Sequence, residues 1–124
     1  DFMKSLIVIG SIFAALSVLL GAFGAHGLKA RLSFEYLAIF ETAVRYQMYH
    51  ALGLVLMGIS GFHLPNYLIY LPSYFLIFGT VIFSGTLITL ALTDLKWLGA
   101  ITPIGGLSLI IGWLLFAYNI CFRS

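Results

Sequence analysis

Long apolar runs alternate along this chain with short segments that hold nearly all of its charge. Four runs stand out: Ser5 to Ala25, Thr42 to Phe62, Ser73 to Thr93, and Thr102 (or already Trp97) to Phe122. Each is about 20 residues, the length a helix needs to cross a hydrocarbon core of roughly 30 Å. Lipid leaves no backbone group a water partner, so a spanning segment must be a helix or part of a closed barrel. Barrel strands would alternate over about ten residues, and no such alternation is present. The pattern predicts an all-α polytopic membrane protein: a four-transmembrane-helix bundle forming one domain over residues 3–124, with helices at about 5–25, 42–62, 73–93 and 102–122. Asp1 and Phe2, ahead of Met3, read as residues foreign to the natural chain. The stretch from Leu6 to Leu20 resembles the core of a signal peptide, but the uncharged run around it is long enough to span, and it is read as a span.

The connections carry the punctuation. Between the first two runs, Gly27 suits a helix C-cap. Ser33 and Glu35 with Phe34, Leu37, Ile39 and Phe40 predict a short amphipathic helix at the membrane interface, separate from the second span. Pro65 and Pro72 are expected to keep helix out of the second connection, where Tyr67, Tyr70 and Tyr74 suit an aromatic belt. In the third connection Trp97 is an interface anchor, and Pro103 fits a first helical turn. Small residues recur on one face of the first run (Gly10, Ala14, Ser17, Gly21, Gly24) and of the fourth (Gly105, Ser108, Gly112). Such stripes let helix backbones approach closely, inside a bundle or between copies.

Composition supports lipid as the solvent. The chain is 62% hydrophobic and 8% charged, against about 25% charged in a soluble domain. A net charge of +2 spread over the whole length makes no basic stripe for nucleic acid. One cysteine, Cys121, allows neither an internal disulfide nor a cysteine metal cluster. Threading four spans puts His26, Lys29, Arg31, Glu35, Glu41, Asp94 and Lys96 on one side, with Arg45 close by, and leaves Lys4, His63 and Arg123 on the other. The positive-inside rule then places the charged connections in the cytoplasm and the termini outside, in the cell inner (plasma) membrane.

The densest polar cluster, "ETAVRYQMYH" (41–50), enters the second span from the charged side. There it can meet His26, Asp94 and Thr102. On a helix, Glu41, Arg45, Met48, Tyr49 and Leu52 share one face. Ala43, Tyr46, Gln47, His50, Gly53 and Leu54 occupy another, and Arg45 and His50 are about 140° apart. Glu41 and Arg45, four apart with the acid first, suit an intrahelical ion pair, or else Arg45 offers its donor fork to an anionic headgroup or carboxylate. His50 lies deeper. It is either a neutral ring satisfied within the bundle, or a haem or metal ligand or proton acceptor. No HExxH, Walker loop or GxSxG is present, and paired carboxylates are too few for a hydrolase.

"GAFGAHGL" (21–28), "ETAVRYQMYHALGL" (41–54), "FSGTL" (83–87) and "ITPIGGLSLIIGWLL" (101–115) together resemble the YgdD/YwdK-like small integral membrane proteins, domain of unknown function 423, related to eukaryotic transmembrane protein 256. The resemblance covers Met3 to Phe122. It implies a bacterial inner-membrane protein with four helices, and puts His26, Thr42, Arg45, Tyr46, Gln47, His50, Ser84, Thr102 and Pro103 in the family's signature positions. It implies no activity, and no catalytic or metal-binding residue is assigned.

The resulting expectation is a membrane protein, not an enzyme, that binds a small amphiphile, lipid headgroup or ion. Its site residues would be His26, Glu41, Thr42, Arg45, Tyr46, Gln47, His50, Ser84 and Thr102, and it would act as a transporter-like or accessory subunit. The alternatives are a redox or biogenesis component using His26 and His50 for haem or quinone, and a structural helper of a larger complex. A homo-oligomer or a place in a membrane complex is expected, within the lipid bilayer.

Overall fold

A computed structural model describes residues 1–124. Four long helices run α1 (Phe2–Phe23), α2 (Phe34–Ser60), α3 (Tyr70–Thr93) and α4 (Leu98–Phe122). α1, α3 and α4 are long and apolar enough to cross a membrane. α2 is less apolar and buries the most residues, among them Ala43, Gln47, His50, Ala51 and Leu54. The helices pack in chain order, α1 on α2, α2 on α3, α3 on α4. Gln47 and His50 of α2 are thus sheltered by neighbouring helices, the placement that lipid demands of deep polar groups, while Glu41 and Arg45 near the rim stay exposed.

The bundle is inverted relative to a soluble domain. Val18, Leu19, Leu56 and Leu114 are all more than 60% exposed, while Ser17, Ser73, Thr80, Ser84, Ser108 and Asn119 are buried. Greasy side chains face outward because lipid tails are as apolar as they are; small and hydroxyl-bearing residues face inward because close backbone approach and hydrogen bonding drive association there. A Cβ on Gly10 would stand 2.6 Å from the Ala51 carbonyl oxygen, and one on Gly105 would stand 2.5 Å from the Phe83 amide nitrogen. Both small-residue stripes are therefore used within the chain, Gly10 and Gly24 against α2 and Gly105 and Gly112 against α3.

Each helix after the first hooks a polar side chain onto a main-chain carbonyl of the helix before it. Gln47 Nε2 donates to the Phe13 carbonyl at 3.0 Å, Ser84 Oγ to Ala43 at 2.8 Å, and Ser108 Oγ to Phe75 at 2.8 Å. At the end that carries the termini, buried Asn119 donates to the Leu68 carbonyl at 3.0 Å, and Arg123 lies 5.1 Å over the Tyr67 ring.

Several boundaries differ from the sequence expectation. The interfacial helix is not separate: Ser33 caps α2 through the Tyr36 amide, and one helix of 27 residues runs from there through the second span. Nothing between Phe40 and Thr42 breaks it, and Phe40 is buried against Gly24. Gly27 is not a left-handed cap; α1 instead widens into a π-turn over Gly24–Leu28, and the only positive φ in the chain belongs to Asp94, at the end of α3. Pro72 lies inside the first turn of α3, where its missing N–H has no helical partner to lose. α4 starts at Leu98, which puts Pro103 in the second turn; the carbonyl it leaves unpaired, that of Gly99, belongs to an exposed residue.

Candidate functional site

The charged connections do converge. Tyr36, in the first turn of α2, donates its hydroxyl to the Asp94 carboxylate at the end of α3, joining the first and third connections across the bundle. That hydrogen bond, with the carboxylate's negative charge beside it, raises the Tyr36 phenol above its usual range. Lys29, Arg31, Glu35 and Lys96, from the same two connections and the first turn of α2, are exposed.

The nine residues expected to form one site separate onto different walls of α2 and its neighbours. Glu41 and Arg45 line a groove of about 200 Å³ between α1 and α2, floored by Gly21, Gly24 and Ala25. The hydrogen bond of Arg45 goes to Thr42 Oγ1, at 3.4 Å, not to Glu41. Thr42 itself belongs to a shallow depression shared with Leu87 of α3. Gln47, one turn deeper, faces a second crevice of about 200 Å³, between α1 and α3, that also holds Phe13 and Thr80. Tyr46 and His50 face a third of about 400 Å³, bounded by Phe83 of α3 and by Leu109 and Trp113 of α4. The spread follows from the helix itself: steps of about 100° carry positions 45, 46 and 47 to three different sides.

Ser84 and Thr102 are spent on packing. Ser84 holds α3 to α2, and the Thr102 hydroxyl meets that of Thr86 at 2.7 Å and the Leu98 carbonyl at 3.1 Å. His26 stands exposed in the π-turn. Because Gly24 lies against Phe40, His26 is level with about Ala38, and His50 lies roughly 18 Å further along the axis at 1.5 Å per residue. The two histidines therefore cannot hold one haem or one quinone head between them, which corrects that alternative.

His50 is 7% exposed, and its Nδ1 lies 2.7 Å from the Tyr46 carbonyl oxygen. Its ring stacks 6.3 Å from that of Tyr46 and sits 5.9 Å from Trp113. Sequence reasoning did not single out Trp113 or Thr80. Thr80 is 3% exposed, and its Oγ1 is the one sealed side-chain polar atom without a hydrogen-bond partner. A threonine in an apolar run usually bonds back to the carbonyl four residues earlier, so only the third dimension reveals that this one does not.

The family model described as "Protein of unknown function (DUF423)" matches residues 20–106, which includes the π-turn, the polar segment of α2 and the start of α4. UPF0382 membrane protein SH2409 of Staphylococcus haemolyticus is 51% identical, covering 91% of this chain and 92% of its own. UPF0382 membrane protein YwdK of Bacillus subtilis is 45% identical, over 91% of this chain and 93% of its own. No solved structure matches. An inverted helical bundle and relatives named as membrane proteins along nearly the whole chain lead to one assignment: the protein is a membrane protein belonging to the DUF423 family, whose function is unknown.

Proposed function

We infer that this protein is a non-enzymatic plasma-membrane protein that holds the anionic headgroup of an amphiphile at the rim between α1 and α2. One observation carries the reading: Arg45 lines the rim groove with a single long hydrogen bond, to Thr42, and leaves its other guanidinium donors uncommitted. A planar fork of donors matches a phosphate or carboxylate in two-point geometry. The floor of Gly21, Gly24 and Ala25 lets the first carbons of an apolar tail lie against the helix backbone, and Glu41 on the same wall disfavours a second negative charge. With three or four Lys/Arg on this face against two on the other, the positive-inside rule sets it in the cytoplasm, where the leaflet is rich in anionic lipid. The proposed site lies within one chain, and the stripes that would favour an oligomer are occupied internally.

Native mass spectrometry from nanodiscs of mixed anionic and zwitterionic phospholipid tests this. Wild-type protein is expected to retain a defined anionic adduct. Arg45→Ala should lose it by about tenfold or more, the effect of removing a charged hydrogen-bond partner, and Arg45→Lys should keep part of it. Equal adducts on wild type and Arg45→Ala would reject the reading.

A further inference from the structure

The third crevice carries a chemistry separate from the rim groove. Nδ1 of His50 lies 2.7 Å from the Tyr46 carbonyl oxygen. A carbonyl oxygen can only accept, so Nδ1 bears the proton, and in the neutral ring Nε2 must present its lone pair. Nε2 has no hydrogen-bond partner in the protein. It is not sealed either, since Thr80 Oγ1 is the only sealed unpartnered side-chain atom. The crevice is thus lined by a residue with one open ring acceptor, at mid-span and more than nine-tenths buried.

The rest of the wall narrows what that acceptor can meet. No charged residue lines the crevice. The His50 N–H is already committed to Tyr46, so the ring has no donor left for an anion or for a carbonyl-bearing ligand. Tyr46, Phe83 and Trp113 supply aromatic faces, with Tyr46 and Phe83 centred 4.9 Å apart, and aromatic rings favour offset or edge contacts with another ring. About 400 Å³ lies within the range of about 300–1,000 Å³ typical of small-molecule sites. An unmet acceptor in hydrocarbon is costly, and lipid tails offer no donor.

We propose that this crevice binds a ring-bearing, lipid-soluble phenol of the hydroquinone class, whose O–H donates to His50 Nε2 while its ring lies among Tyr46, Phe83 and Trp113. The oxidised carbonyl form of such a compound has no donor for Nε2 and loses that contact, leaving its carbonyls only the Tyr46 hydroxyl and the Trp113 indole N–H, which also line the crevice. The proposal is independent of the Arg45 groove, which lies on another side of α2.

The test uses full-length protein in nanodiscs carrying Trp97→Phe, which leaves Trp113 as the sole tryptophan. An alkyl hydroquinone should quench Trp113 saturably and shift the Nε2 signal of His50 upfield in imidazole 15N NMR. The dimethyl ether of the same compound, with the same ring and no donor, should require a roughly three- to tenfold higher mole fraction, the effect of one hydrogen bond inside a membrane. His50→Phe should bind hydroquinone and ether alike. Equal binding of the two by wild type, an unmoved Nε2 signal, or a Soret band from added haem that depends on His50 while hydroquinone does not bind would overturn the proposal. The comparison in wild type decides the matter even if His50→Phe fails to fold.

Discussion

In the α1–α2 pair, a Cβ on Gly10 would meet the Ala51 carbonyl; in the α3–α4 pair, one on Gly105 would meet the Phe83 amide and, at 3.0 Å, the Gly79 carbonyl. Backbone thus lies against backbone in both hairpins. Their hydrogen bonding differs. The first pair is joined by the long amide of Gln47, which shares the Phe13 carbonyl with Ser17 Oγ at 2.9 Å. The second is joined by the short hydroxyls of Ser108 and of Thr86 with Thr102. Close packing is common to both, and the buried mid-span amide and imidazole, Gln47 and His50, belong to α2, which packs against both α1 and α3. A strongly polar side chain deep in a span needs a neighbouring helix that covers and satisfies it at that position.

The largest expected effect tests the shared part of that comparison. Gly105→Ala and Gly10→Ala each force a Cβ against backbone that cannot step aside, and each should destabilise by about 3 kcal/mol, the upper range for overpacking. Gly85→Ala has nothing within 4 Å of the added carbon and should stabilise by about 0.5–1 kcal/mol through helix propensity. Reversible unfolding in mixed micelles measures all three; a Gly105→Ala protein as stable as Gly85→Ala would show that close approach does not hold α3 to α4. The differing part is tested next. Gln47→Leu should cost about 1 kcal/mol and Ser108→Ala about 0.6 kcal/mol, within the range of interhelical hydrogen bonds in membranes. Equal costs would erase the distinction between the hairpins.

The smallest effect lies at the charged face. Tyr36→Phe removes the link to Asp94 and should speed amide hydrogen exchange in the first and third connections without moving the unfolding midpoint. The raised phenol pKa gives the sign of the pH dependence. The contact is complete below the ordinary tyrosine range and is lost as pH climbs through the raised value. Wild type in strong alkali should then exchange like the variant, and unchanged exchange there would remove the contact's structural role.

Much of this architecture is legible in residue order, because span length, positive-charge placement and small-residue spacing act locally. Convergence of Glu35, Glu41 and Asp94 at one face follows from counting crossings. The division of positions 41–50 into an Arg45 side and a His50 side follows from 100° steps, and the structure gives each side its own crevice. The fusion of the interfacial segment with α2 is not legible, because it depends on Phe40 finding Gly24 on another helix. The uncommitted donors of Arg45 are not legible either: spacing permits a bond to Glu41, and side-chain geometry chooses Thr42. His26 and His50 looked like partners because both approach one membrane face in sequence, whereas helix rise puts them at different depths.

The modest apolarity of α2 also bears on biogenesis. A segment holding Arg45, Gln47 and His50 gains little by leaving the translocon for lipid alone, while α1, α3 and α4 each have the length and apolarity to do so. The crossing of α2 is then a collective event, completed when Gln47 finds the Phe13 carbonyl and Ser84 arrives at Ala43. On this account the second span is placed by its neighbours as the chain is made, and assembly of the hairpins and insertion into the membrane become a single step.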